Sequence, residues 1–167
     1  MPAQEDIFQK AMNEGHSAAW DQEWDKAAAA YRKALQAMPD NPKALNSLGL
    51  ALFQLGNFDD ALQIYLNVIK VSPDDPAPME KVSQLSERLG NLKTAIDAAL
   101  KAGDLFLNQR DTDKAIENWV HVTNLNPDHA IAHSRLAQVH ERLGHAQQSV
   151  IEHLAIASII QRAGSAE

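Results

Sequence analysis

Histidine is the side chain in this sequence that most invites chemistry. The chain carries seven, and five of them follow one another closely: His129, His133, His140, His145 and His153. His129 and His133 are four residues apart, one turn of a helix, and His140 lies seven beyond His133. Neutral imidazoles at that spacing could bind zinc. A hydrolytic zinc helix also needs a carboxylate inside the pair, and no His-Glu-x-x-His string is present. Carboxylates occur in adjacent pairs, Asp59–Asp60 and Asp74–Asp75. Both pairs stand in turns or first turns of helices, where capping and the helix dipole account for them. There is no glycine-rich phosphate loop and no nucleophile elbow. The absence of cysteine removes disulfides and cysteine-ligated zinc or iron–sulfur sites. The expectation is therefore no catalytic residue, no cofactor and no metal: a chain that is not an enzyme.

What is left is recognition, and composition narrows it. The 167 residues are enough for one domain with a continuous core. Alanine and leucine supply most of the 45% hydrophobic content, with only 5% aromatic, which favours helices over sheets. The net charge is −7 and no stripe of lysine or arginine runs through the chain, so nucleic acid is not the expected ligand. The opening MPAQEDIFQK lacks the basic stretch and apolar core of a secretory signal. The longest apolar run, VIEHLAIASII, is interrupted by Glu152 and His153 and is too short to span a bilayer. A cytoplasmic protein without membrane insertion is expected.

The elements that position any binding residues repeat along the chain. Pro39 and Pro73 hold the same place in two turn strings, MPDNP and SPDDP, and a third string, NPDH, begins at Asn126. Between the first two, Leu45, Leu48, Leu52 and Leu55 recur at helical spacing up to Gly56. Phe58, Ala61, Leu62, Tyr65, Val68 and Ile69 form a second stripe. Asn41 before Pro42 and Asp75 before Pro76 read as N-caps followed by a first-turn proline. Each unit is thus helix, tight turn, helix, proline-marked turn. Helices are expected near 3–20, 23–37, 42–55, 58–71, 76–89, 92–109, 112–124, 129–143 and 146–162.

A two-helix unit of this length, about 34 residues from Pro39 to Pro73, resembles the tetratricopeptide repeat. Ala11, Gly15, Trp24, Ala27, Tyr31, Ala34 and Pro39 match its pattern in the first unit. Leu48, Gly49, Gly56, Phe58, Ala61, Tyr65 and Pro73 match it in the second. The resemblance implies an all-α, right-handed solenoid of antiparallel hairpins: about nine helices in four to five units, forming a single domain over 1–167. The units are 8–41, 42–75, 76–109 overlapping 96–129, and 130–163. The overlap arises because Ala95 and Ala115, which hold the same repeat position, are separated by much less than one full unit. The expectation is one long helix over 92–109 shared by two units, with small Gly103 at its packing face; the rival is a break at Gly103–Asp104. His153 aligns with Tyr31, Tyr65 and Trp119, so a flat ring there replaces another flat ring. Trp24 and Trp119 fall at packing positions, while Trp20 is either a partner contact or a packing anchor.

The family's concave face is lined by the first helix of each hairpin, which implies a groove for a partner protein or peptide. Its candidate residues here are Met12, His16 and Trp20, then Lys43, Asn46, Leu50, Phe53 and Gln54. Further along come Lys81, Gln84 and Arg88, and then Arg135, Gln138 and Arg142. Members that dock chaperone tails hold a terminal carboxylate with lysines, asparagines and an arginine. Those places carry Met12, His16, Ser47, Ala77 and Lys81, and only Lys81 agrees, so that mode is not implied. A scaffold or adaptor is the first functional expectation; a self-assembling module or a small acidic chaperone for a secreted partner are the alternatives. Self-association has a candidate surface. Val150, Ile151, Leu154, Ile156, Ile159 and Ile160 wrap more than half of the final helix. Ile156, Ile159 and Ile160 are expected to form its unpaired apolar face, because Ile156 and Ile160 align with Ala102 and Phe106, which face the succeeding helix in their own unit.

Overall fold

The structure, a computed structural model, describes residues 2–165. Among them the chain forms nine helices and no strand: α1 Pro2–Trp20, α2 Trp24–Ala37, α3 Pro42–Gln54, α4 Phe58–Val71, α5 Pro76–Arg88, α6 Leu92–Asn108, α7 Thr112–Leu125, α8 Ala130–Arg142 and α9 Ala146–Gly164. None is long and apolar enough to cross a membrane. The expected caps are in place. Asn41 Oδ1 accepts hydrogen bonds from the amides of Lys43 and Ala44 at 3.0 and 3.1 Å, and Asp75 Oδ1 accepts from Ala77 at 3.0 Å. Two orphan donors at the start of α3 and one at the start of α5 are thereby satisfied, with proline filling the first helical position of each.

The turns within hairpins share one geometry. A backbone N–H bonded to the carbonyl five residues earlier closes each: Glu23 to Ala18 at 2.8 Å, Asn57 to Leu52 at 2.9 Å, Asn91 to Ser86 at 2.8 Å, Asp111 to Phe106 at 2.9 Å and His145 to His140 at 2.8 Å. This bond needs a left-handed residue just past the helix end. Glycine supplies it at Gly56, Gly90 and Gly144, but Gln22 and Arg110 adopt it too, with φ of 59° and 64°.

The helices gather into two compact units, Met1–Asn91 and Leu92–Glu167. In the first, α1 pairs with α2, α3 packs on α2 and pairs with α4, and α5 packs on α4. In the second, α6 pairs with α7 and α8 with α9, and α7 packs on α8. Helix α6 runs unbroken through Gly103–Asp104, as the absence of any proline or turn string there requires.

One device recurs in three hairpins. The ring of Tyr31 lies on Gly15, that of Tyr65 on Gly49 and that of Trp119 on Gly103, always with the same interval in sequence between glycine and ring. A methyl group on those glycines would sit 2.5, 2.9 and 2.4 Å from the ring atoms, well inside contact distance. Glycine here is demanded by the ring that fills its place. Burial pushes the hydroxyl pKa of both tyrosines up, and for Tyr31 a hydrogen bond with Ser47 partly offsets the rise. The hairpin of α8 and α9 differs. Its corresponding pair is Ala137 and His153; Ala137 is buried and carries a methyl group where the other three hairpins have a bare glycine. His153 therefore does not replace the flat rings of the other hairpins. It lies at the surface, with Nε2 2.8 Å from Glu141 Oε1.

Candidate functional site

The groove candidates on α1, α3 and α5 separate into buried and presented residues. Met12 is only 5% exposed and is core, not groove. It continues the stripe of Phe8, Ala11 and Gly15 that α1 turns toward α2, and a thioether on that stripe fills the hairpin interior. Trp20 stands at the opposite extreme, 89% exposed at the last residue of α1. It borders a hollow of about 350 Å³ together with His16, Trp24, Tyr31, Ser47 and Leu50. Leu50 is 44% exposed, and the His16 ring meets Tyr31 edge-on at 5.7 Å. Trp24 is half-buried, not a full core residue, because one side of its indole lines this hollow.

Beside the hollow, Phe53 is half-buried against Phe58, ring centroids 5.5 Å apart, and Arg88 reaches from α5 over both rings at 5.3 and 5.4 Å. Stacking fixes the guanidinium while its edge N–H groups stay available. Lys43, Gln54, Lys81 and Gln84 are exposed and Asn46 is half-buried. Lys81 Nζ lies 3.5 Å from Gln84 Oε1.

In the second unit, Arg135 on α8 binds Asp104 on α6, through Nε at 3.0 Å and an NH2 nitrogen at 3.4 Å. Gln138 and Arg142 follow on the same face of α8 and are exposed. These side chains surround a pocket of about 340 Å³, shared with Asn108 and Trp119. Trp119 is fully buried, and its Nε1–H has no hydrogen-bond partner. The sequence reading placed the arginines here but missed Asp104 and the indole N–H. A repeated interval held the signal: Arg135 follows Trp119 at the same distance in sequence at which Ser47 follows its hydrogen-bond partner Tyr31.

The five histidines from His129 onward each contact a neighbouring group. His129 Nδ1 accepts from the Ala132 amide at 3.2 Å and caps α8. His133 lies between Glu152 Oε2 at 2.6 Å and the Pro127 carbonyl at 2.9 Å. His140 and His145 face each other with Nδ1 atoms 3.4 Å apart. The hydrogen bond from His153, opposed by desolvation, holds the Glu141 carboxyl below its ordinary pKa. No group of three or more His, Cys, Asp or Glu that could hold a metal ion gathers among the described residues.

These contacts also set the rotation of α9, which differs from the expected one. Buried Ser149 and half-buried Glu152 are tied to α8, and Ile156 and Ile159 come inward with them and are half-buried. The exposed apolar stripe is instead Val150, Ile151, Leu154 and Ile160, the last 65% exposed.

Comparison with known proteins agrees with this architecture. No curated protein matches the sequence. Among solved structures, that of the MamA protein is similar at 19% identity over 98% of this chain and 97% of its own, with a TM-score of 0.58. PcrH, crystallised with the chaperone binding region of PopD, is similar at 18% identity over 74% of this chain and 93% of its own, with a TM-score of 0.66. The CopN-Scc3 complex contains a chain with 20% identity over 66% of this chain and 67% of its own, with a TM-score of 0.61. At these identities the likeness is one of fold. The tetratricopeptide repeat family model matches residues 12–78 and 100–161. With most of its length so matched, and with the glycine–ring hairpins described above, the chain belongs to the tetratricopeptide repeat family.

Proposed function

We propose that the chain is a non-enzymatic protein-binding scaffold that holds an extended segment of a partner through residues on the first helix of each hairpin. The observation that carries this reading is Trp20, exposed beside Leu50 over a formed hollow. A large ring held in water contributes nothing to folding, and exposed aromatics beside a cleft are the usual anchors of a protein interface. PcrH, of similar fold, was crystallised with the chaperone binding region of PopD, which supports a segment of protein as the ligand and keeps a chaperone role open for this chain. Selection of random displayed peptides on the parent and on the Trp20→Ser, Leu50→Ser double variant tests it. Peptides recovered on the parent should bind the variant on the order of tenfold more weakly, with circular dichroism unchanged. Equal binding by both proteins overturns the anchor.

A second reading is self-association through α9, favoured by the exposed stripe of Val150, Ile151, Leu154 and Ile160. Burying such side chains contributes roughly 1.5–3 kcal/mol each before the cost of association. A light-scattering mass that stays monomeric across a concentration series excludes it.

A further inference from the structure

We infer that the pocket between α6 and α8 accepts the carboxylate of an acidic side chain, so that the segment bound by this chain carries aspartate or glutamate at that point. The inference rests on the peptide-binding reading above and adds the chemistry of one subsite. The pocket is rich in donors. Asp104, the one carboxylate lining it, engages two of the five N–H groups of Arg135, which leaves three. Arg142 stands seven residues on, two turns along the same face of α8, and adds its own fork. With Asp104 set against two arginines, the lining keeps one net positive charge in a chain whose total is −7. An anion is therefore drawn to this place while most of the surface repels it.

A second observation points the same way. The Trp119 indole lines the pocket, and its Nε1–H has no partner. The nitrogen lies against the bare Cα of Gly103, next to Asp104, where a methyl group would come within 2.4 Å of it. A buried donor without an acceptor is a place for a ligand oxygen. The volume, about 340 Å³, holds one side chain and its carboxylate, not an extended multiply charged ligand.

The test uses the full-length protein and the peptides recovered on it by display. Their sequences should show an excess of Asp and Glu. A recovered peptide and its Glu→Gln counterpart are then titrated while the Trp119 indole N–H resonance, identified by its loss in Trp119→Phe, is followed by NMR. The expected result is a shift with the acidic peptide, little with the amide one, and about tenfold weaker binding of the acidic peptide by Arg142→Gln with partial rescue by Arg142→Lys. Arg142 is exposed, so the variant should fold, and circular dichroism checks this. Peptides without acidic excess, or an indole shift equal for both peptides, overturn the subsite and leave the groove reading standing. Recovery of no peptide overturns both. A stronger response to inorganic phosphate than to the acidic peptide overturns the carboxylate assignment.

Discussion

The tightest constraints in the molecule act between single residues. Gly103 and Trp119 share a space that holds a ring or a methyl group but not both. Gly103→Ala should therefore cost about 1–3 kcal/mol through overpacking, even though alanine is the better helix former. Urea denaturation measures it, and a stability equal to the parent's would mean that the indole is free to move aside. The left-handed turn residues are constrained by backbone, not by space. Gln22 and Arg110 stand where other hairpins place Gly56, Gly90 and Gly144. A side-chain-bearing residue in that conformation costs about 1–2 kcal/mol relative to right-handed backbone, a penalty glycine escapes. Arg110→Gly should raise stability by up to about 1 kcal/mol, visible as a higher urea midpoint at constant m. An unchanged or lower midpoint would show that the Arg110 side chain contributes more than its conformation costs.

At the scale of elements, α6 is the least ordinary piece, because it carries small residues along most of one side: Ala95, Ala98, Ala99, Ala102 and Gly103 are all buried. Lys101→Pro should break it at a cost of about 3 kcal/mol or more. In the parent, amides 99–106 should exchange slowly; fast exchange at Gly103 and Asp104 would show a hinge. Helix positions were legible in the sequence because their signals are local. The Asn41–Pro42 and Asp75–Pro76 caps, the turn glycines and the apolar spacing each lie within a few residues of the boundary they set. Met12 was misplaced because the family alignment gives a position on the helix, whereas its neighbours Phe8, Ala11 and Gly15 decide which way the side chain turns. The face of α9 was misread for a related reason. Six apolar residues compete for one side, and the choice falls to Glu152 and Ser149, whose partners His133 and Glu141 lie in another helix. The pocket between α6 and α8 was legible only in part: its arginines follow from the repeat register, but Asp104 lies on a different helix from Arg135 and nothing in the local pattern joins them.

For the whole molecule, the two compact units end in unlike surfaces. Trp20 and Leu50 present apolar area beside a hollow in the first unit, and α9 presents an uncovered stripe in the second. Leu154→Glu with Ile160→Glu should leave helicity and melting nearly unchanged, because both side chains are already in water. If the parent forms dimers through this stripe, the double variant should sediment as a monomer. A clear drop in melting temperature in dilute protein would instead show that the stripe packs internally. Ile156→Glu differs in kind: Ile156 is half-buried beside Ser149 and Glu152, and a carboxylate there should loosen α9 itself.

The glycine–ring pairs restrict the order in which sequences can change. At Gly103 a methyl group is admissible only after Trp119 has become smaller, whereas shrinking the indole first leaves a cavity but no collision. Drift must therefore begin on the second helix of a hairpin and reach the first afterwards. Ala137 with His153 shows the other arrangement, a buried methyl group on the first helix and a ring at the surface on the second. A large aromatic could pack inward from position 153 only with glycine at position 137. Each glycine–ring hairpin thus carries a gate on the order of substitution, and a double-mutant cycle across positions 103 and 119 would measure its height.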